Sequence, residues 1–264
     1  MTDSVERFSG FAALYDQVRP VPPVAFTEVV VQLARISRPG TVVDLGSGTG
    51  VSAGIWAGHA GRVVAVEPNE EMRAMAAARL RSERKTEFEI RDGLAADTGL
   101  PDRCADVVTC SQSLHWLDPE TTFPEVARIL RPGGVFAAID CDWPPAIDWE
   151  VDDAYERMDR AMRHLEAARG VVPRRWEKSG HLARMRDSGV FRWSTELALS
   201  HVESGGADRI IALAETQGGV VALRQAGVPD EDIGLDDLRR VATSVLGAEV
   251  RPWWWTYRIR LGIV

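Results

Sequence analysis

Between Thr41 and Asp140, short β-branched runs alternate with longer amphipathic stretches. That rhythm suits parallel strands joined by crossover helices and fits few other folds. Strands are expected at 41–45, 62–66, 86–90, 105–110 and 134–140, with helices at 50–59, 69–81 and 119–130. Asn69 is positioned as an N-cap, and Arg131-Pro132-Gly133-Gly134 breaks the third helix before the fifth strand. Beyond Asp140 the rhythm changes. Trp143-Pro144-Pro145 interrupts it, helices are expected at 151–169, 174–188, 207–217, 220–226 and 235–246, and strands at 191–202 and 251–264.

The first strand runs into Asp44-Leu45-Gly46-Ser47-Gly48-Thr49-Gly50. Glycines at 46, 48 and 50 allow a tight turn into a helix that exposes N–H groups to a ligand. The spacing is GxGxG, with Val51 where a dinucleotide fingerprint would carry its third glycine, so the turn is not set up for a pyrophosphate. The second strand ends in Glu67, whose carboxylate can accept both hydrogen bonds of a ribose diol. Asp92, after the third strand, is placed to accept from an adenine amino group.

Composition narrows the function classes. The chain has 264 residues, 45% of them hydrophobic, enough for a full α/β core in one domain with insertions. Its net charge of −8 without a basic run argues against nucleic acid or an anionic membrane as partner. No apolar run of membrane-spanning length and no signal-peptide pattern occurs, so a cytoplasmic protein is expected. Cys104, Cys110 and Cys141 lack CxxC spacing and read as core residues.

The motifs Val42 to Gly50, Val64-Ala65-Val66-Glu67-Pro68-Asn69, Ala105 to Ser111 and Leu130-Arg131-Pro132-Gly133-Gly134 occur in an order that resembles the class I S-adenosylmethionine-dependent methyltransferases of the small-molecule, type 11 kind. The resemblance covers roughly residues 5–141. It implies an α/β, Rossmann-like, doubly wound sheet of seven strands, the last antiparallel, with helical caps. It also implies S-adenosyl-L-methionine as cofactor. By resemblance, Asp44, Gly46, Ser47 and Gly48 belong to the cofactor site, the glycine turn passing beside its methionine part. Glu67 would hold the ribose, Pro68 and Met72 would flank the adenine, Asp92 and Gly93 would meet its polar edge, and Ser111 would meet the amino group. A single domain 1–264 is expected, with N-terminal lid helices at 1–40, a cofactor core at 41–140, and helical caps at 141–190 and 203–250 over an acceptor pocket.

Tyr15 and Arg19, four apart on an expected lid helix, project from one face, where the guanidinium can grip the methionine carboxylate. After the fourth strand, His115 is the candidate general base and Trp116 a pocket wall. Asp140, Asp142, Asp148, Asp152 and Asp153 cluster after the fifth strand, but without a further ligand downstream no metal is expected. In the last strand, alternation sends Trp253, Trp255 and Tyr257 to one face and Trp254 to the other. The expected reaction is methyl transfer to an O, N or C atom of a small organic acceptor, in a monomer or homodimer. Secondary metabolites are the acceptor class suggested by resemblance. Two alternatives stay open: a protein that uses the cofactor structurally, for cyclisation or regulation, and a DNA-binding regulator built on helices 207–246, whose acidic residues suit phosphates poorly.

Overall fold

The computed structural model describes residues 16–170 and 175–264. These fall into two compact units. One holds Val21–Cys141, Arg175–Leu199 and Tyr257–Val264, and the other the described residues within Met1–Pro20, Asp142–Arg174 and Ser200–Thr256.

The sheet has seven strands: β1 Thr41–Leu45, β2 Arg62–Val66, β3 Glu87–Arg91, β4 Ala105–Ser111, β5 Leu130–Cys141, β6 Trp193–Gly205 and β7 Arg251–Ile263. Their order is β3-β2-β1-β4-β5-β7-β6. Strands β1 to β5 pair in parallel, and β7 runs antiparallel to β5, with Ala137 opposite Leu261 and Asp140 opposite Arg258. Val42, Val43, Leu45, Val63, Val66, Val107, Val108 and Val135 are fully buried, as expected for central strands covered on both faces. The strand order reverses between β1 and β4, and open α/β sheets bind ligands outside the carboxyl ends at such a switch point.

The helices of the sheet unit are α1 Ala25–Ala34, α2 Val51–Gly54, α3 Glu70–Leu80, α4 Pro119–Ile129 and α6 His181–Asp187. Asn69 caps α3, its Oδ1 accepting from Met72 N at 3.0 Å, and Asp118 caps α4, with Pro119 in the first turn. Under the sheet, Phe123, Phe136 and Phe191 pack edge-on and stacked, with ring centroids 5.4 to 5.9 Å apart.

The other unit is helical: α5 Trp149–Arg169, α7 Ala207–Glu215, α8 Gly218–Gln225, α9 Asp230–Ile233 and α10 Leu235–Leu246. Val151, Ala154, Tyr155, Met158 and Met162 on α5, and Leu235, Leu238, Val241, Ala242 and Leu246 on α10, recur every three or four residues and are buried. The last three acids of the cluster expected after β5, Asp148, Asp152 and Asp153, lie at the start of α5. Asp148 accepts from Glu150 N, Asp152 accepts from Ile147 N, and Asp153 pairs with Arg157. At the start of β7, Trp253 and Trp255 are 0% and 1% exposed and Trp254 is 58% exposed, the alternation expected of a strand covered on one face.

Two expectations require correction. The helix expected at 50–59 is only Val51–Gly54, followed by turns to residue 59, because a stretch with glycines at 54 and 58 has little helix propensity. The helix expected at 174–188 begins only at His181, after a 3₁₀ turn at Lys178–Gly180. Upstream of that turn, Trp176 N donates to His115 O at 2.8 Å, which takes this backbone out of any helical ladder. No helix among the described residues is long and apolar enough to cross a membrane.

Candidate functional site

The glycine turn leaves β1 with φ of 64° at Gly46, 54° at Gly48 and 81° at Gly50, a backbone path that side chains resist. A Cβ on Gly46 would stand 2.8 Å from Ser113 Cβ, and one on Gly50 would stand 3.1 Å from Ala76 Cβ. One on Gly48 would meet nothing within 4 Å. The turn is thus pressed against protein on both flanks and open at its middle.

The expectation that the turn exposes its N–H groups requires correction at Gly46, Ser47, Gly48 and Gly50. Gly46 N and Ser47 N both donate to Val66 O, at 2.9 and 3.2 Å, and Gly50 N donates to Ser47 O at 3.0 Å. Gly48 N donates to Glu67 Oε2 at 2.9 Å. The donors of Gly46, Ser47 and Gly48 face inward because β2 ends beside the turn, where Val66 and Glu67 supply acceptors to it. What the turn leaves unmatched is Ser47 Oγ, buried and without a hydrogen-bond partner among the described residues.

Three carboxylates organise the site. Asp44 is fully buried beneath the turn, accepting from Ser52 Oγ at 2.6 Å and Thr109 Oγ1 at 2.7 Å. Burial pushes its carboxyl up to about 6 against those two hydrogen bonds. Asp44 therefore acts from below, joining the turn's base to α2 and β4. Glu67 accepts from Gly48 N through Oε2 and from Asn69 N through Oε1, and burial raises its carboxyl as well. A carboxylate offers about four acceptor positions, so Glu67 keeps roughly two for a ligand.

Around Glu67, Met72 is buried and Pro68 half-buried, while Gly93 lies close under Val66. Asp92 is exposed and pairs through Oδ1 with Arg73 Nη1 at 3.0 Å. That same Arg73 nitrogen donates to the carbonyls of Glu67 at 3.0 Å and Pro68 at 2.7 Å. Arg73 thereby ties the ends of β2 and β3 together, a role that nothing in the sequence separates from the chain's other arginines.

Ser111 closes β4 half-buried. Two residues on, Ser113 Oγ donates to Leu45 O at 2.7 Å, seating the β4 loop on the glycine turn. Gln112 between them has φ of 53°, and its N–H donates to Ile139 O at 2.9 Å. His115 follows on a 3₁₀ turn, Leu114–Trp116, with its ring 4.8 Å from that of Trp116.

The third carboxylate is Asp140, at the end of β5. Its Oδ2 meets Arg260 Nη1 at 3.0 Å, and Arg260 Nε donates to Glu196 Oε2 at 2.6 Å. Its Oδ1 lies 3.1 Å from Lys178 Nζ and 3.7 Å from His115 Nδ1, the latter too long for a hydrogen bond. Lys178 also donates to Gln112 Oε1 at 2.8 Å. Burial pushes the Asp140 carboxyl up, and the Lys178 ammonium and His115 more than reverse this, holding it well below the usual carboxylate range. For His115, burial pushes the imidazole down, Asp140 offsets part of that, and Lys178 and Arg175 push it further down. His181, on α6, is pushed down to about 3, first by burial.

Of the sequence candidates, the sheet unit therefore assembles Asp44, Gly46, Ser47, Gly48, Glu67, Pro68, Met72, Asp92, Gly93, Ser111 and His115 at the carboxyl ends of β1 to β4. Arg19 belongs to the helical unit, where it donates to Thr216 O at 2.9 Å and lies over the Trp143 ring. Tyr15 lies outside the described residues. Ser113, Arg73, Lys178 and Arg260 were not foreseen. A cavity lined by Arg103, Leu130, Gly133, Arg192 and Val264 lies at the opposite, amino ends of β4 and β5.

Residues 43–138 match the model of a methyltransferase domain family. A methyltransferase of uncharacterized activity from Mycobacterium tuberculosis is 36% identical over 128 residues, 48% of this chain and 49% of that protein. The malonyl-[acyl-carrier protein] O-methyltransferase of a Marinomonas species is 29% identical over 147 residues, 54% and 53% of the two chains. The chain thus spans about half the length of these curated relatives. Among solved structures, a protein from Anaeromyxobacter dehalogenans described as a type II methyltransferase superposes with a TM-score of 0.67 at 25% identity, covering 93% of this chain and 97% of that one. Strand order, glycine turn and these likenesses agree: the chain carries the domain of the class I S-adenosylmethionine-dependent methyltransferases.

Proposed function

We propose that the protein transfers the methyl group of S-adenosylmethionine to an O, N or C atom of a small organic acceptor. The observation that carries the cofactor reading is the glycine turn. Its middle is open at Gly48, Ser47 Oγ is buried without a hydrogen-bond partner among the described residues, and Glu67 beside it has acceptor positions to spare. A ligand with a ribose diol and a polar aminoacyl end fits that set. Turned-in N–H groups offer little to a pyrophosphate.

When bound, S-adenosylmethionine supplies a methyl group already activated on a sulfonium. The chain's part is to position and to manage a proton. Glu67 would hold the ribose, Pro68 and Met72 the adenine faces, Asp92 and Gly93 its edge, and Ser47 and Ser111 the aminoacyl end. Asp44, through Ser52 and Thr109, fixes the turn on which this depends. His115 would accept the acceptor's proton at Nε2, because Nδ1 is buried on the side of Asp140. The Marinomonas relative is by name an O-methyltransferase, which puts oxygen acceptors first in a screen. Residues 141–190 and 203–250 are proposed to select the acceptor.

Calorimetric titration with S-adenosylmethionine and incubation of the labelled donor with a metabolite extract test the two parts. Binding, release of S-adenosylhomocysteine and a labelled product are expected. Binding without S-adenosylhomocysteine release would overturn methyl transfer and favour a structural use of the cofactor. Absence of binding would overturn the cofactor assignment itself. With an acceptor in hand, His115→Gln should cut turnover about 10²- to 10⁴-fold and leave cofactor affinity unchanged.

A further inference from the structure

One oxygen of a buried carboxylate is approached by two nitrogens of different character. Asp140 Oδ1 stands 3.1 Å from the Lys178 ammonium and 3.7 Å from His115 Nδ1, while Oδ2 is taken by Arg260. Lys178 is one of only two lysines in the chain, the other being Lys85. Its placement is built. Trp176 N holds the segment to His115 O, and Gln112 Oε1 accepts from Nζ at 2.8 Å. Gln112 is itself fixed by its N–H to Ile139 O and its amide against Cys141 Sγ.

We propose that Lys178 is a positioning residue which, by occupying Asp140 Oδ1, keeps His115 uncharged and its Nε2 ready to take a proton. The proposal rests on the reading of His115 as proton acceptor. A buried carboxylate beside an imidazole normally draws a proton onto the ring and makes an ion pair, and an imidazolium has no lone pair to offer. Here the carboxylate's charge is already met by Lys178 and Arg260, so a further positive charge on the ring has little to gain. Arg175 acts on the ring in the same direction as Lys178. The other charged groups around the cluster do not undo this: Glu196, on β6, is engaged by Arg260 and Arg258, and His181, on α6, contacts Arg184. An ammonium is also the fitting cation. It donates to Gln112 and pairs its charge with Asp140 Oδ1, and its compactness leaves the imidazole beside the same oxygen, where a forked guanidinium would span both carboxylate oxygens.

The test is an NMR titration of the full chain labelled on histidine, with the His115 ring assigned through His115→Gln. In the wild type the ring should stay neutral below the ordinary histidine midpoint. Lys178→Met should raise its midpoint by about one pH unit or more, and Lys178→Arg should restore it most of the way. Lys178→Gln, which retains a polar contact for Gln112 without the charge, should behave as Lys178→Met and guards against a folding failure of either. An unmoved midpoint in the folded Met and Gln variants overturns the proposal. So does unfolding of both while Lys178→Arg stays folded, since the charge would then serve folding. A raised midpoint together with full turnover by His115→Gln would leave the Lys178 effect standing and overturn the reading of His115 as the base.

Discussion

Glu67 and Asp140 are both buried acids at the carboxyl ends of the sheet, yet they are held in opposite ways. Glu67 is held by backbone N–H groups of Gly48 and Asn69, and Asp140 by the cations Arg260 and Lys178. Neutral dipoles leave the first carboxyl raised by its burial, whereas against the same burial the Lys178 charge, with His115, drives the second far down. Asp44, held by two hydroxyls, sides with Glu67. The difference teaches that burial alone does not decide the state of an acid here. The donor type does, and it divides the site into a part that can yield its hydrogen bonds to a ligand and a part locked by charge.

The severest break of that contrast is Asp140→Asn. It takes from Arg260, whose side chain is 2% exposed, one of its two carboxylates, leaving Glu196, and takes from Lys178 the carboxylate it faces, and breaking a buried pair by removing one partner costs about 3–5 kcal/mol. Urea unfolding would measure it, and a loss below about 1 kcal/mol would mean that the cations are not what holds Asp140. The wild-type Asp140 carboxyl lies lower folded than unfolded, so its contribution is present above the ordinary aspartate range and is lost as pH falls through its folded value.

Asp44 should show the reverse sign. Its carboxyl rises from 3.8 to about 6 on folding, so the folded state binds the extra proton and stability falls as pH climbs between those values, by about 3 kcal/mol. Asp44→Asn has no charge to bury. Measured against it from pH 4 to pH 7, the wild type should lose stability progressively, and parallel curves would show that Asp44 ionises as easily folded as unfolded. The smallest effect belongs to Ser113→Ala, which removes one hydrogen bond to Leu45 O, worth about 1 kcal/mol in thermal unfolding. Weaker cofactor binding in that variant would sharpen the picture of a turn that depends on its flanks.

The strands and the glycine turn were legible because β-branched runs buried on both faces leave a local signature, as does a chain that needs positive φ at three glycines. The alternation of Trp253, Trp254 and Trp255 was legible for the same reason. The charged cluster was not. Lys178 lies 38 positions from Asp140, and its segment was expected to be helical, because a 3.6-residue pattern says nothing of an N–H at Trp176 that bonds to a distant carbonyl. Arg73 and Arg260 were hidden for a different reason: in a chain whose basic residues are nearly all arginine, residue type alone singles out neither the one that ties β2 to β3 nor the one that is buried. The inward bonding of the turn's N–H groups depends on where Val66 and Glu67 end their strand, a matter of register rather than of composition.

That inward bonding has a consequence for selectivity among abundant cellular ligands. A turn that has already matched the N–H groups of Gly46, Ser47, Gly48 and Gly50, flanked by the acids Asp44 and Glu67, gives a triphosphate few donors to settle on and two carboxylates to repel it. ATP shares the adenosine half of S-adenosylmethionine, yet its phosphate chain would lie where this protein keeps negative charge. The cellular nucleotide pool should therefore compete poorly for the proposed adenosine site.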